Sequence, residues 1–294
     1  MRFTDIGQQL RAYRLESGMR AEEIAARLGV SRAALYRYEK GEVIKLDTVK
    51  RLAELLKISP LSLLGIGVEY YNRPIGFFER LRQVEETADQ ILLVDTPLCY
   101  LVTSDAYDAL LADLFDEIAN QGGAERGNLR VLAEQVLGIQ QARKRMYQAR
   151  RPSIISMISA AAIGRLLDGG VGASLPVPDA LRQRAREVAR QEVENILSLM
   201  EAEPMGLQFG LLQAVEPSGA FQILRARDRA MLAINPFQAD SSPNTQNGVA
   251  MITAADEAIA AHQRVAETMW RETAKGATGA ARLREALGSR LAAR

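Results

Sequence analysis

The sequence predicts an all-helical domain over residues 1–66 followed by a larger α/β domain. In the first part, glycines 18, 29 and 41 divide the chain into short segments whose apolar residues recur at helical spacing. Beyond residue 75, short apolar runs typical of buried strands alternate with long amphipathic helical patterns. Strands interleaved with helices are typical of a layered α/β domain.

Capping residues and apolar spacing predict five N-terminal helices, over about residues 5–17, 22–28, 32–40, 47–56 and from 60 onward. Thr4 or Asp5 is the expected cap of the first helix, and Ser31 that of the third. Ser59 precedes a proline, which is favoured at the first position of a helix. The segment therefore consists of short helices joined by tight turns.

The stretch from Ala21 to Gly41 combines a helix, a glycine–apolar–serine turn, a second helix, and an aromatic–Glu–x–Gly ending. Ala25 is small where the two helices cross, and Gly29 tolerates a positive φ in the turn. This pattern resembles the helix-turn-helix domain of the Cro/C1 (XRE) family of phage-type repressors. The resemblance implies that the third helix enters the major groove of DNA.

Carried over position by position, the resemblance implies a set of DNA-contacting residues: Arg20, Ser31, Arg32, Ala33, Tyr36, Arg37, Lys40 and Lys45. Arginine can donate two hydrogen bonds to guanine, and the methyl group of Ala33 can contact thymine. Arg20, Lys40 and Lys45 are expected to meet phosphates. The resemblance also implies a structural ion pair between Arg14 and Glu39. The alternative reading is that these arginines and lysines are solvated surface charge.

Charge and composition agree with a nucleic-acid contact confined to the N-terminus. Residues 1–66 carry a net charge of +4 and the rest of the chain −3. Apart from Cys99 the chain has no cysteine, and apart from His262 no histidine, so we expect no disulfide, metal or cofactor. We also expect a cytoplasmic protein without a signal peptide or membrane span.

The remainder predicts a linker over residues 67–74, an α/β domain over 75–276 and an amphipathic helix or tail over 277–294. The predicted strands cover about residues 90–95, 152–159, 206–215, 220–225, 230–234 and 248–253. The three strands between 206 and 234 are expected to form a meander. Predicted helices fill the intervals, and the last one covers about residues 280–291.

The order of these strands and the helix containing Trp270 resemble the phospholipase-D-like sensor domains of some transcription regulators. The catalytic His-x-Lys-x(4)-Asp signature is absent, because His262 is followed by Gln263 and Arg264. The sequence also does not suit a catalytic Ser-His-Asp triad or Ser-Lys dyad, since His262 and the lysines after residue 75 lie in helical patterns. We therefore expect no enzymatic activity.

Two places are predicted to bind a small molecule. Arg151, Ser156 and Ser159 accompany a strand that runs into a helix, where ligands often bind at exposed backbone N–H groups. Asn235 and the polar loop after it are the second place. The basic run from Arg143 to Arg151 is compatible with an anionic ligand, or with the polar face of a connecting helix.

These features predict a dimeric transcription regulator, more specifically a repressor, that binds an inverted-repeat operator in double-stranded DNA. The α/β domain is expected to dimerise, to bind a small-molecule effector, or both. The alternatives are an antitoxin-like protein that neutralises a partner, and an enzyme with an autoregulatory helix-turn-helix domain. If the linker couples the two domains, a flexible insertion after Gly67 should uncouple DNA binding from the effector.

Overall fold

The computed structural model describes residues 3–212 and 219–292, and its first part contains five short helices. They are α1 (Phe3–Ser17), α2 (Ala21–Leu28), α3 (Arg32–Glu39), α4 (Leu46–Leu56) and α5 (Pro60–Leu63). The prediction of five helices is confirmed, although α1 starts two residues earlier than expected. The side chains of Thr4 and Asp5, expected as caps, lie outside the described residues.

Local sequence signals explain where these helices begin and end. The Ser31 hydroxyl accepts a hydrogen bond from the backbone N–H of Ala34 (3.1 Å), and Ser59 caps α5 in the same way. Gly29 adopts a φ of 70°, which ends α2 and turns the chain toward α3. Short helices with defined ends thus follow directly from the capping and turn residues.

The second part of the chain contains eight strands and eight helices within the described residues. The strands are β1 (Val68–Tyr71), β2 (Gln90–Val94), β3 (Ser153–Ser159), β4 (Leu207–Leu212), β5 (Phe221–Arg225), β6 (Ala230–Ile234), β7 (Ala250–Thr253) and β8 (Ala274–Lys275). The helices are α6 (Pro74–Glu85), α7 (Asp105–Gln121), α8 (Arg126–Arg150), α9 (Ala160–Gly169), α10 (Asp179–Ala202), α11 (Asp256–Glu272), α12 (Gly276–Leu287) and α13 (Ser289–Ala292). The predicted α/β class is confirmed.

All eight strands form one mixed sheet in the order β1-β7-β6-β5-β2-β3-β4-β8. Strands β2, β3 and β4 are parallel to one another, and the remaining pairs are antiparallel. The meander consists of β5, β6 and β7, so the prediction that β4 pairs with β5 is wrong. The chain leaves β4 for β5 through residues 213–218, which lie outside the described part.

The sheet separates two apolar layers, because alternate residues of a strand point to opposite faces. Ile91 and Leu93 of β2 pack toward α6, α7, α8, α9, α10 and α12. Leu92 and Val94 pack on the other face, which α11 covers with Ile259 among others. The second part of the chain is therefore a three-layer domain with most of its helices on one face.

The segment predicted to be a linker contains the edge strand β1. Glu69 and Tyr71 of β1 are buried on the face that carries α6, while Tyr70 is exposed on the other. Pairing with β7, which lies far along the chain, supplies the backbone partners of β1. Glycine and proline at the ends of this segment predict a linker, whereas the strand depends on a partner that local sequence does not show.

Helix α1 of the head (residues 1–66) packs directly on α6 and β1 of the body (residues 67–294). The rings of Tyr13 and Tyr71 stack with their centroids 5.2 Å apart. A side chain at Gly76 would overlap Glu16, since its Cβ would lie 2.7 Å from the Cβ of Glu16. Residues of head and body accordingly belong to one continuous apolar cluster.

The C-terminal helix differs from its predicted form. Helix α12 begins at Gly276 rather than at residue 280, and its buried residues Ala280, Leu283 and Leu287 pack on α10 and β4. Within residues 3–212 and 219–292, no helix combines the length and the apolar composition needed to cross a bilayer.

Candidate nucleic-acid interface

Helices α2 and α3 form a helix-turn-helix unit held against α1. Ala25 and Leu35 are buried where α2 and α3 meet the core. Gly7 of α1 lies so close to the end of α3 that a Cβ there would be 2.5 Å from the carbonyl oxygen of Tyr38. The close approach requires glycine, and it fixes the direction in which α3 presents its outer face.

The predicted ion pair between Arg14 and Glu39 is confirmed. The Arg14 Nε lies 2.5 Å from Glu39 Oε1, and Nη2 lies 3.1 Å from Oε2. Glu39 is buried, so its carboxylate gains most from a bidentate partner. This pair joins α1 to α3 and faces away from solvent, which agrees with a structural role.

The outer face of α3 carries the residues predicted to read bases. Arg32, Ala33 and Arg37 are exposed, and Tyr36 is half-buried beside them. The Arg32 guanidinium lies 5.4 Å from the centre of the Tyr36 ring, within reach of a cation–π contact. Ser31 caps the helix through its side chain, so its hydroxyl orders the start of α3.

Both exposed arginines of α3 are paired with carboxylates that sequence reasoning did not single out. Arg32 lies 2.8 Å from Glu22, and Arg37 lies 2.7 Å from Glu42. All four side chains are roughly half exposed or more, so each pair contributes little stability. These carboxylates must release the arginines before a base or phosphate can take their place.

The predicted phosphate-contacting residues stand at helix ends around this face. Arg20 precedes α2, Lys45 precedes α4, and Lys40 follows α3; all three are exposed. Backbone N–H groups at helix N-termini attract phosphate, so Arg20 and Lys45 stand beside favourable positions. Val43, between α3 and α4, and Leu46, the first residue of α4, are also exposed, and no sequence motif singles them out.

The structure does not bring together the first predicted ligand set. Arg151 precedes β3 and Ser159 ends it, so the seven-residue strand separates them. Ser156 is buried between them with no hydrogen-bond partner for its hydroxyl. Ser159 accepts a hydrogen bond from Ala162 N and caps α9. The three residues therefore lie at separate places along β3, and their role in binding a small molecule stays a prediction.

The basic run before β3 includes two cations with a structural role. Arg143 is buried and bonded to Glu85 at 2.8 and 2.7 Å, and Lys144 is buried 2.7 Å from Asp108. These contacts pair two of the five basic residues of the run with carboxylates inside the body. The run lies at the end of α8, as the helix reading predicts, but Arg143 and Lys144 are paired inside the body rather than on a solvated face.

Asn235, the second predicted ligand residue, lies at the wall of a cavity of about 120 Å³. Its side chain also orders the loop, since its Oδ1 accepts a hydrogen bond from Phe237 N and its Nδ2 donates to Phe237 O. The cavity lies at the ends of β2 and β6 and at the start of β5.

Residues 5–63 match a family model described as a helix-turn-helix domain. This match lies within the head and supports DNA as a partner of the chain. No curated protein matches the chain. The resemblances of the head to the Cro/C1 family and of the body to phospholipase-D-like sensor domains stay predictions.

Among solved structures, the chain is similar to TrmBL2, an archaeal chromatin protein whose structure shows a novel mode of DNA binding. The two are 12% identical with a TM-score of 0.32, and the match covers 78% of this chain and 61% of TrmBL2. This chain thus spans about three fifths of that protein. A likeness at this level carries no weight for fold or function.

Proposed function

We propose that this protein is a sequence-specific DNA-binding transcription regulator of the cytoplasm, more specifically a repressor. One observation carries the proposal: the helix-turn-helix head exposes Arg32, Ala33 and Arg37 on the outer face of α3. These side chains suit guanine and thymine in the major groove. Arg20, Lys40 and Lys45 surround them and suit the flanking phosphates.

The proposed regulator acts as a dimer on an inverted repeat. A single recognition helix reads only about 4–5 base pairs, which is too few to define a site in a genome. A two-fold dimer places two such helices about 34 Å apart on successive turns of the groove. In this proposal the body provides the dimer contact and binds a small-molecule effector, without catalysis. His262 is engaged structurally, since its Nδ1 lies 2.8 Å from Ala258 O and its ring packs on Phe221.

The test uses the full chain and an operator selected from random duplex DNA. Arg37→Ala should weaken the selected site by about 1–3 kcal/mol and relax preference at one base pair. Lys40→Ala should weaken all sequences alike and reduce the salt dependence. Fluorescence anisotropy on the operator and on single-base variants measures both. Equal, sequence-blind losses in the two variants would show that Arg37 contacts only phosphate.

The same binding experiment tests assembly. The full chain should bind the inverted repeat as two protomers, and a duplex with one half-site should bind far more weakly. Sedimentation velocity of the complex gives the stoichiometry. Equal affinity for one half-site and for the full repeat would contradict the dimer.

A further inference from the structure

A cavity of about 120 Å³ lies between the sheet and helix α6, beside the ends of β2 and β6. An apolar cavity of about 150 Å³ holds a benzene molecule, so this space suits a single six-membered ring with slight relaxation. Its wall is largely apolar and includes Phe78, Leu81, Leu93, Phe221 and Phe237.

Among the residues that line this cavity, two carry buried polar atoms with no hydrogen-bond partner. They are the side-chain oxygen of Gln222, a residue only 6% exposed, and the hydroxyl oxygen of Thr96. Gln222 pairs with Leu93 across the sheet and points to the same face, toward α6. A buried carboxamide oxygen without a donor costs free energy, and a ligand N–H or O–H would remove that cost.

The charged groups around the cavity disfavour an anion. The guanidinium of Arg143 at its wall is bonded to both oxygens of Glu85. The carboxyl group of Asp240 also lines the cavity, and burial raises its pKa. The Asp240 side chain accepts a hydrogen bond from Gly172 N at 2.5 Å. A neutral molecule meets these walls without an unpaired charge.

Helix α6 is the common wall of the cavity and the head. Phe78 and Leu81 face the cavity. Glu79 and Gln83 face α1, where Glu79 lies 2.8 Å from Arg11 and Gln83 donates to a backbone carbonyl at 3.1 Å. A displacement of α6 by a bound molecule therefore acts directly on the helix that supports α3.

We propose that this cavity binds a neutral, single-ring molecule that carries a hydroxyl or amino group, and that this group donates a hydrogen bond to Gln222. The cavity is then the effector site of the regulator, a last step that rests on the proposed function. The binding step itself depends only on the geometry of the cavity.

Phenol and benzene are the probes, because they differ by one hydrogen-bonding group on the same ring. Calorimetry on the full chain should show about tenfold tighter binding of phenol, the value of one hydrogen bond. Gln222→Met should bring the two affinities within about twofold while benzene binding is retained. Gln208→Met, at an exposed position on β4, should leave the preference unchanged.

A measurement on the wild-type chain keeps the test independent of variants that fold poorly. Nuclear Overhauser contacts from the phenol ring to the methyl groups of Leu81 and Leu93 should place the probe in the cavity. Their absence, or binding of neither probe, would overturn the proposal. An undiminished preference for phenol in folded Gln222→Met would overturn it as well.

Operator affinity measured with and without phenol separates the two proposals. A chain that binds phenol through Gln222 but binds no DNA would retain the cavity site and refute the regulator. A chain that binds its operator but neither probe would retain the regulator and refute the cavity site. Phenol binding that leaves operator affinity unchanged would overturn the assignment of the cavity as the effector site.

Discussion

Replacing Arg80 by methionine should be among the most damaging single changes at the junction of head and body. The Arg80 guanidinium donates to both carboxylate oxygens of Glu69, at 2.8 and 2.9 Å. The two side chains are 5% and 4% exposed. The same carboxylate accepts from Gln9 of the head at 2.6 Å and from the Tyr71 hydroxyl at 2.7 Å.

The expected loss follows from this burial. Removing one partner of a buried ion pair leaves the other charge uncompensated, which costs about 3–5 kcal/mol. Arg80→Met and Glu69→Gln should each lose about that amount. The double variant should lose only about 1–3 kcal/mol, because a neutral glutamine at 69 still accepts from its hydrogen-bond donors. The double variant should therefore be more stable than either single variant.

Urea unfolding, followed by circular dichroism and by the fluorescence of Trp270, measures the free energies. Arg184→Met is the matched control, since Arg184 and its partner Asp113 are 49% and 50% exposed. That change should cost less than about 1 kcal/mol. Losses that add in the Glu69/Arg80 double variant would show that the two charges do not depend on each other, and the reasoning would be refuted.

Three further predictions concern the head and its connection to the body. Glu42→Gln frees Arg37 of α3 and should raise operator affinity about 2–5-fold. Glu23→Gln on α2 removes the same charge from a pair with Arg27 and serves as the control for net charge. Equal gains in operator affinity for the two variants would contradict the pairing argument. Burial raises the pKa of Glu16 from 4.5 to about 7, so its contribution to stability is full below about pH 4.5 and lost as the pH rises through 7. In Glu16→Gln, the melting temperature should therefore fall less between pH 5 and pH 8 than in the unsubstituted chain. An unchanged dependence of the melting temperature on pH would contradict this role of Glu16. A flexible insertion after Gly67 should leave the effect of the effector on operator affinity intact. Operator titrations with and without the effector measure this. Loss of that effect would show that the segment after Gly67 couples the two domains.

Much of the fold follows from local signals in the sequence. Ser31 and Ser59 each accept a backbone hydrogen bond at the helix start where the sequence predicts it, and Ser104 and Ser159 do the same at the starts of α7 and α9. Apolar runs located β2 and β3 to within a residue or two. Capping and alternation act over a few residues, so the sequence displays them directly.

Features that depend on distant partners were not predictable in this way. The pairing of β1 with β7 joins residues separated by most of the chain. The carboxylates of Glu22 and Glu42 gain significance only from the placement of their arginine partners. Gln222 reads as an ordinary polar residue in a strand until the sheet places it at a cavity wall. Functional geometry of this kind arises from tertiary contacts rather than from local pattern.

The position of β1 changes how a signal can pass from body to head. A linker transmits by limiting distance, whereas a shared core transmits by displacing packed side chains. Here Tyr13 of α1 stacks on Tyr71 of β1, and Gln9 of α1 bonds to Glu69 of the same strand. A flexible insertion after Gly67 leaves all of these contacts in place. An effector that shifts α6 instead moves α1, and with it α3 through the pair between Arg14 and Glu39. In a dimer whose contact lies between the two bodies, the separation of the two recognition helices then depends on the contact between α1 and α6. Half-sites one helical turn apart tolerate little change in that separation.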